Sequence, residues 1–208
     1  MNVLWIGTYS IAMAVLGKLF ADHLPYIYQM VKMKVIADNK TLEIEGEKNE
    51  SHPFISSLMF MSVIMIYVLT HNLYLSLFVF AFACLAYTDY VMRWVPDLLI
   101  YLMVWISFIG STKPLFEGIL SIALFCIPAL VVYLYSYISN KDKCIASGDW
   151  YVFPSIGLWL SPATAASYMA ACIVLVAIIS RYTRDVPLLA CLFPIFVGGQ
   201  LCEFYFVF

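Results

Sequence analysis

Apolar residues come in runs of close to twenty along this chain, separated by short polar links. The runs cover 3–20, 54–70, 74–88, 98–112, 117–139, 149–160, 163–180 and 187–208. Lengths near twenty match what a helix needs to cross the hydrocarbon layer. Backbone polar groups in lipid must be satisfied internally, and runs this long and evenly apolar exclude barrel strands. The pattern therefore predicts an all-α polytopic membrane protein of about eight transmembrane helices. His71-Asn72 reads as a tight polar turn, and Pro96 marks a chain break between the third and fourth runs. Pro194 and Gly198-Gly199 are expected to bend the last run.

One polar stretch of any length, 26–53, interrupts the series, and it is too short for a domain of its own. The chain is thus read as a single integral membrane domain over 1–208, with a short loop over about 22–52. Composition agrees: 64% of residues are hydrophobic and 12% charged, far from the balance of a soluble domain. The first run has no A-x-A cleavage site after it and is read as a retained helix. Six cysteines are present, none in a C-x-x-C pair, so they read as buried free thiols and not as a zinc site.

Charge placement sets the orientation. Threading eight spans puts alternate links on alternate sides. Lys18, Lys32, Lys34, Lys40, Lys48, Arg93, Lys141, Lys143, Arg181 and Arg184 then share one side, and of the 11 basic residues Lys113 alone falls opposite. The positive-inside rule names the crowded side cytoplasmic and places both termini on the far side. Asp89 and Asp149 emerge at the same cytoplasmic face, although nothing in the threading required it.

Those two carboxylates are the candidate chemistry. An ionisable group at the edge of a membrane segment is costly unless it is paired, solvated or used. Asp89 lies at the end of the third run, with Thr88 before it and Arg93 one helical turn on; Asp149 opens the sixth. Two carboxylates held close cannot both ionise cheaply, so one keeps a proton while the other stays charged. Such a pair can activate a water and hydrogen-bond a scissile carbonyl, without a metal. Gly148, lacking a side chain, is expected to let a helix or an extended substrate approach closely, and Pro96 to keep Asp89 at a loosened helix end. Trp94 and Trp150 read as interfacial aromatics, and Asp97 and Asp185 as N-caps. Glu117 and Glu203 fall on the opposite side under this threading. Ion or proton transport through the same carboxylates is the alternative, and a purely structural membrane subunit a third. Transport favours groups near mid-membrane and internal repeats, whereas both aspartates here lie at one face and the halves show no repeat.

At these residues the sequence resembles the type IV prepilin peptidases, intramembrane aspartyl proteases of the GxGD class. Ala86-Tyr87-Thr88-Asp89, followed by Val95-Pro96-Asp97, looks like the family's first aspartate and its downstream Ile-Pro-Asn-like triplet. Ala146-Ser147-Gly148-Asp149 looks like its Gly-x-Gly-Asp motif, with Ala146 in place of the first glycine. Gly17-Lys18-Leu19-Phe20 with His23-Leu24-Pro25, and Val186-Pro187-Leu188 through Gly198, resemble the family's first and last spans. Tyr151 stands where a basic residue is common, and the short loop lacks the cysteine tetrad of many members.

The resemblance implies a bacterial inner-membrane peptidase of type IV pilus or type II secretion systems. It would remove short basic leaders from prepilins or pseudopilins at the cytoplasmic face. Asp89 and Asp149 would be catalytic, with Ala146, Ser147, Gly148 and Pro96 in support. Its partners would be the substrate and the lipid bilayer, with no nucleic acid. Cleavage would need no metal or cofactor; S-adenosylmethionine would enter only where the new N-terminus is also methylated.

Overall fold

A computed structural model describes residues 3–38, 52–93, 95–139, 145–146, 148–183 and 186–206. Ser147, Trp94, Cys144, Asp185 and the loop over 39–51 lie outside the described residues. The fold is all-helical, with α1 Val3–Asp38, α2 Pro53–Thr70, α3 Leu73–Met92, α4 Asp97–Gly110, α5 Leu115–Ile138, α6 Asp149–Gly157, α7 Pro162–Ile179 and α8 Leu188–Phe206. Of these, α2, α3, α5 and α7 are long and apolar enough to cross a membrane. By contrast α6, at nine residues, spans only about 13 Å and cannot cross the roughly 30 Å apolar layer.

The bundle is built around α3. Its span is 78% buried by the other helices, against 22% for α2, α5 and α7. Apolar residues on every face make it a core helix and not a lipid-facing one. It packs against α2, α4 and α8. Phe78 and Phe82 interleave with Phe193 and Phe196 of α8 at ring distances of 5.3–5.8 Å, while Ala81, Ala83 and Ala86 let neighbouring helices close in. The two-residue link before α3 is tight, as its sequence indicates. His71 closes α2 in the left-handed region, and the Asn72 side chain accepts the Leu75 N–H at 3.0 Å to cap α3.

Small residues do similar work elsewhere. Gly17 lies against the Ser56 backbone, and the Ser56 hydroxyl donates to the Gly17 carbonyl at 2.7 Å, which joins α1 to α2. The short α6 is locked between α4 and α5. The Ser107 hydroxyl donates to the Ser155 carbonyl at 2.9 Å and accepts the Trp159 indole N–H at 2.9 Å. Phe125 meets Phe153 edge-on, and Gly157 faces the Ile122 backbone so closely that a Cβ would sit 2.8 Å from its Cα.

The helices depart from the sequence pattern in three places. First, α1 runs through Pro25 to Asp38 and does not stop near Phe20. Straight-chain helix formers such as Gln29, Met30, Lys32 and Lys34 follow the proline and support continuation. At 36 residues, roughly 54 Å, α1 extends well past the apolar layer. Second, α3 continues beyond Asp89 to Met92, so Asp89 sits inside the helix. Third, Asp97 is not an N-cap: Pro96 takes that position, and Asp97 is an exposed acid in the first turn, where the helix dipole favours it.

The packing predicts a contrast between two glycines. Gly157→Ala must push α6 off α5 and should cost about 1–3 kcal/mol. Gly198→Ala meets nothing within 4 Å and should change stability by less than about 0.5 kcal/mol. Thermal unfolding of the two variants in detergent measures the difference.

Candidate active site

Asp89 is carried by the buried helix and is only 7% exposed. Its place follows from the local sequence: Thr88 turns its hydroxyl back onto the Leu85 carbonyl, and Tyr87 packs inward at the foot of α1 and α2. The Tyr87 hydroxyl accepts the His52 N–H at 3.0 Å, which fixes this turn of α3 against the start of α2. One carboxylate oxygen of Asp89 accepts the backbone N–H groups of Leu189 at 3.0 Å and Ala190 at 3.4 Å. These amides belong to the first turn of α8, whose free donors and dipole both favour a negative charge.

Asp149 is the first residue of α6 and is 4% exposed. The preceding turn holds it reciprocally: the Asp149 N–H donates to the Ala146 carbonyl at 3.2 Å, and the Ala146 N–H donates to Asp149 Oδ2 at 3.3 Å. Burial, and after it the Asp89 charge, pushes the Asp149 carboxyl up to about 7 against the pull of the Ala146 N–H.

The loops that carry the two motifs also touch. Pro96 takes an extended conformation and caps α4, with the Leu99 and Ile100 N–H groups donating to its carbonyl at 3.0 and 3.2 Å. Val95, before it, packs over Gly148. A Cβ on Gly148 would lie 3.5 Å from the Val95 side chain, an ordinary contact, and Gly148 has right-handed helical angles. Close approach of a neighbouring helix is therefore not what glycine provides here. Glu203 lies toward the other end of α8, roughly 21 Å along the helix from Leu189, and accepts the Thr164 hydroxyl at 2.8 Å. It is remote from the aspartates, as the threading implied.

Sequence reading missed the α8 amides that hold Asp89. Pro187, one residue before that helix, is a helix-start signal that could have pointed to free donors there. It also missed the thiols beside the pair. Cys172 donates to the Leu188 carbonyl at 3.7 Å and lies within the field of Asp149, while Cys191 lies within that of Asp89. Among the described residues, no group of three or more metal-ligating side chains comes together.

The sequence model of the type IV leader peptidase family matches residues 75–181, just over half of the chain, and the match includes both aspartates. The chain belongs to that family. Comparisons with curated proteins and with solved structures give no match.

The electrostatics of Asp149 predict a stability effect with a definite sign. The folded chain holds this proton more tightly than an unfolded one, so stability is greatest below the ordinary carboxyl range and falls as pH rises through about 7. Asp149→Asn keeps an acceptor for Ala146 and carries no charge. It should raise the melting temperature at pH 8 and flatten the decline between pH 5 and 8, at roughly 2–4 °C per kcal/mol for a chain of this size. A variant that melts below the wild type at pH 8 would contradict this account of Asp149.

Proposed function

We propose that this leader peptidase is an aspartic endopeptidase that uses Asp89 and Asp149 to remove short basic leaders from prepilins or pseudopilins. The observation that carries the reading is the pair itself. Two buried carboxylates 60 residues apart in sequence lie within range of each other, the Asp89 charge adding to burial in raising the Asp149 carboxyl; backbone amides hold both, and Val95 and Gly148 beside them are in contact.

Their surroundings divide the labour. Asp89, with two amide donors at a helix N-terminus, suits the charged state, and Asp149, with one, suits the protonated state. In the reaction, Asp89 takes a proton from a water as the water oxygen adds to the scissile carbonyl carbon. Asp149 hydrogen-bonds the carbonyl oxygen and gives it a proton as the tetrahedral intermediate forms. Collapse breaks the C–N bond, the amine departs with the proton held by Asp89, and the hydroxyl proton returns to Asp149. Water is consumed and no metal is required. Cleavage routes no step through S-adenosylmethionine, and methylation of the new N-terminus is a separate activity.

Orientation supports the substrate class. With the basic links cytoplasmic, the aspartates open toward the side where a Lys/Arg-rich leader is retained while its apolar helix lies in the bilayer. On this reading the N-terminus is periplasmic and the membrane is the bacterial inner membrane. Gly148 then serves the close approach of an extended substrate backbone.

Asp89→Asn and Asp149→Asn should each leave the protein in the membrane and lower processing by several orders of magnitude. Co-expression with a prepilin followed by gel mobility of the pilin reads this out, and efficient cleavage by either variant would remove the pair from the mechanism. Cleavage should also decline as pH rises through about 7, where the shared proton is lost. Mass spectrometry of the mature N-terminus reports methylation in the same samples.

A further inference from the structure

The short α6 ends among the other helices, where the carbonyls of a last turn need partners from outside the helix. A tight turn carries it on to Leu160, with the Trp159 and Leu160 N–H groups donating to the Ile156 and Gly157 carbonyls at 3.1 and 3.2 Å. Pro154 removes one donor from within the helix, so its place depends all the more on what holds its ends. Side chains from one segment, the end of α4 and its link to α5, meet three carbonyls of this turn. The Ser107 hydroxyl donates to the Ser155 carbonyl at 2.9 Å, the Ser111 hydroxyl to that of Leu158 at 3.4 Å, and the Lys113 ammonium to that of Trp159 at 3.0 Å. Of the three donors Lys113 alone is charged, with the sign that the C-terminal end of a helix favours. It is also the one basic residue that the charge pattern puts on the side away from the aspartates. A lysine there runs against the positive-inside rule, and the carbonyl it meets supplies the reason.

We propose that Lys113 is a positioning residue of the site: its ammonium anchors the far end of α6 and thereby fixes the depth at which Asp149 stands beside Asp89. This rests on the reading of the two aspartates as a proteolytic pair and deepens it. Asp149 opens α6, and Trp159 lies just past its other end, roughly 15 Å away along the axis. A helix this short moves as one piece, so a hold on the Trp159 carbonyl limits how far Asp149 can slide. At the near end Val95, just before α4, packs over Gly148. The stretch from Val95 to Lys113 therefore grips α6 at both ends, loosely beside Asp149 and by hydrogen bonds at the far turn. Lys113 touches neither carboxylate. Its loss falls on the alignment of the pair, and so on turnover, while the leader and the apolar helix of a substrate still bind.

The test compares Lys113→Met and Lys113→Arg with the wild type in the full-length protein, using a prepilin with a short basic leader and counting turnover per folded molecule. Lys113→Met keeps a stem of similar length and removes the donor and the charge. Taking a cation from the sparsely charged side strengthens the charge bias, so the variant keeps its orientation in the membrane. It should lose about tenfold in kcat with KM unchanged. Lys113→Arg restores a cationic donor and should recover most of the rate. Wild-type kcat in Lys113→Met overturns the proposal, and so does a loss confined to KM. A loss in Lys113→Arg equal to that in Lys113→Met overturns it as well. Where Lys113→Met does not fold, Lys113→Gln takes its place: a fall in kcat at constant KM is expected, and wild-type kcat overturns the role. A wild-type chain that cleaves no prepilin overturns the proteolytic reading itself, and this role with it. An active wild type with an equally active Lys113→Met overturns only the role of Lys113.

Discussion

The contact between one Asp89 carboxylate oxygen and the first amides of α8 joins the fold to the proposed site. A carboxylate on a helix sealed inside a membrane bundle would be costly without compensation. Here the compensation is the free N-terminus of another helix, whose donors would themselves be orphaned without an acceptor. Each side satisfies the other. The contact requires α3 to lie inside the bundle and α8 to begin beside Asp89, and the aromatic seam between Phe78 and Phe82 of one helix and Phe193 and Phe196 of the other keeps that alignment. The proposed chemistry therefore rests on the same packing that holds the two helices together.

The second carboxylate is held differently. Asp149 opens a nine-residue helix that cannot cross the bilayer and depends on its neighbours for its place. Those neighbours are specific: the Ile122 backbone against Gly157, and the Ser107 hydroxyl between the Ser155 carbonyl and the Trp159 indole. One aspartate thus sits on the most enclosed of the four long apolar helices and the other at the start of a short one.

Much of this was legible in the sequence. The ends of α2, α5 and α7 fall within about two residues of the apolar runs, because each run is bounded by charges or a proline that the apolar layer excludes. Asp89 and Asp149 stood out because an acid at the edge of such a run needs a reason. The length of α1 was hidden. Once a helix leaves the bilayer hydropathy no longer marks its course, and a single proline weighs less than the many helix formers beyond it. The α8 amides were hidden too, since backbone donors leave no mark in composition. Gly148 is a partial case: its residue type suggested close approach of either a helix or a substrate, and among the described residues Val95 lies there at an ordinary distance, which removes the helix.

Two departures from local preference stand beside the proposed pair. Asp149 holds a proton that a solvated carboxyl would release, and Arg93 occupies a conformation that glycine fits better. Each lowers stability at a place where the rest of the bundle is well packed. A chain selected for stability alone would discharge the first and relax the second. That both features stand within a turn of the two acids, while α3 and α8 around them follow the ordinary rules of apolar packing, is what a site maintained at the expense of stability looks like.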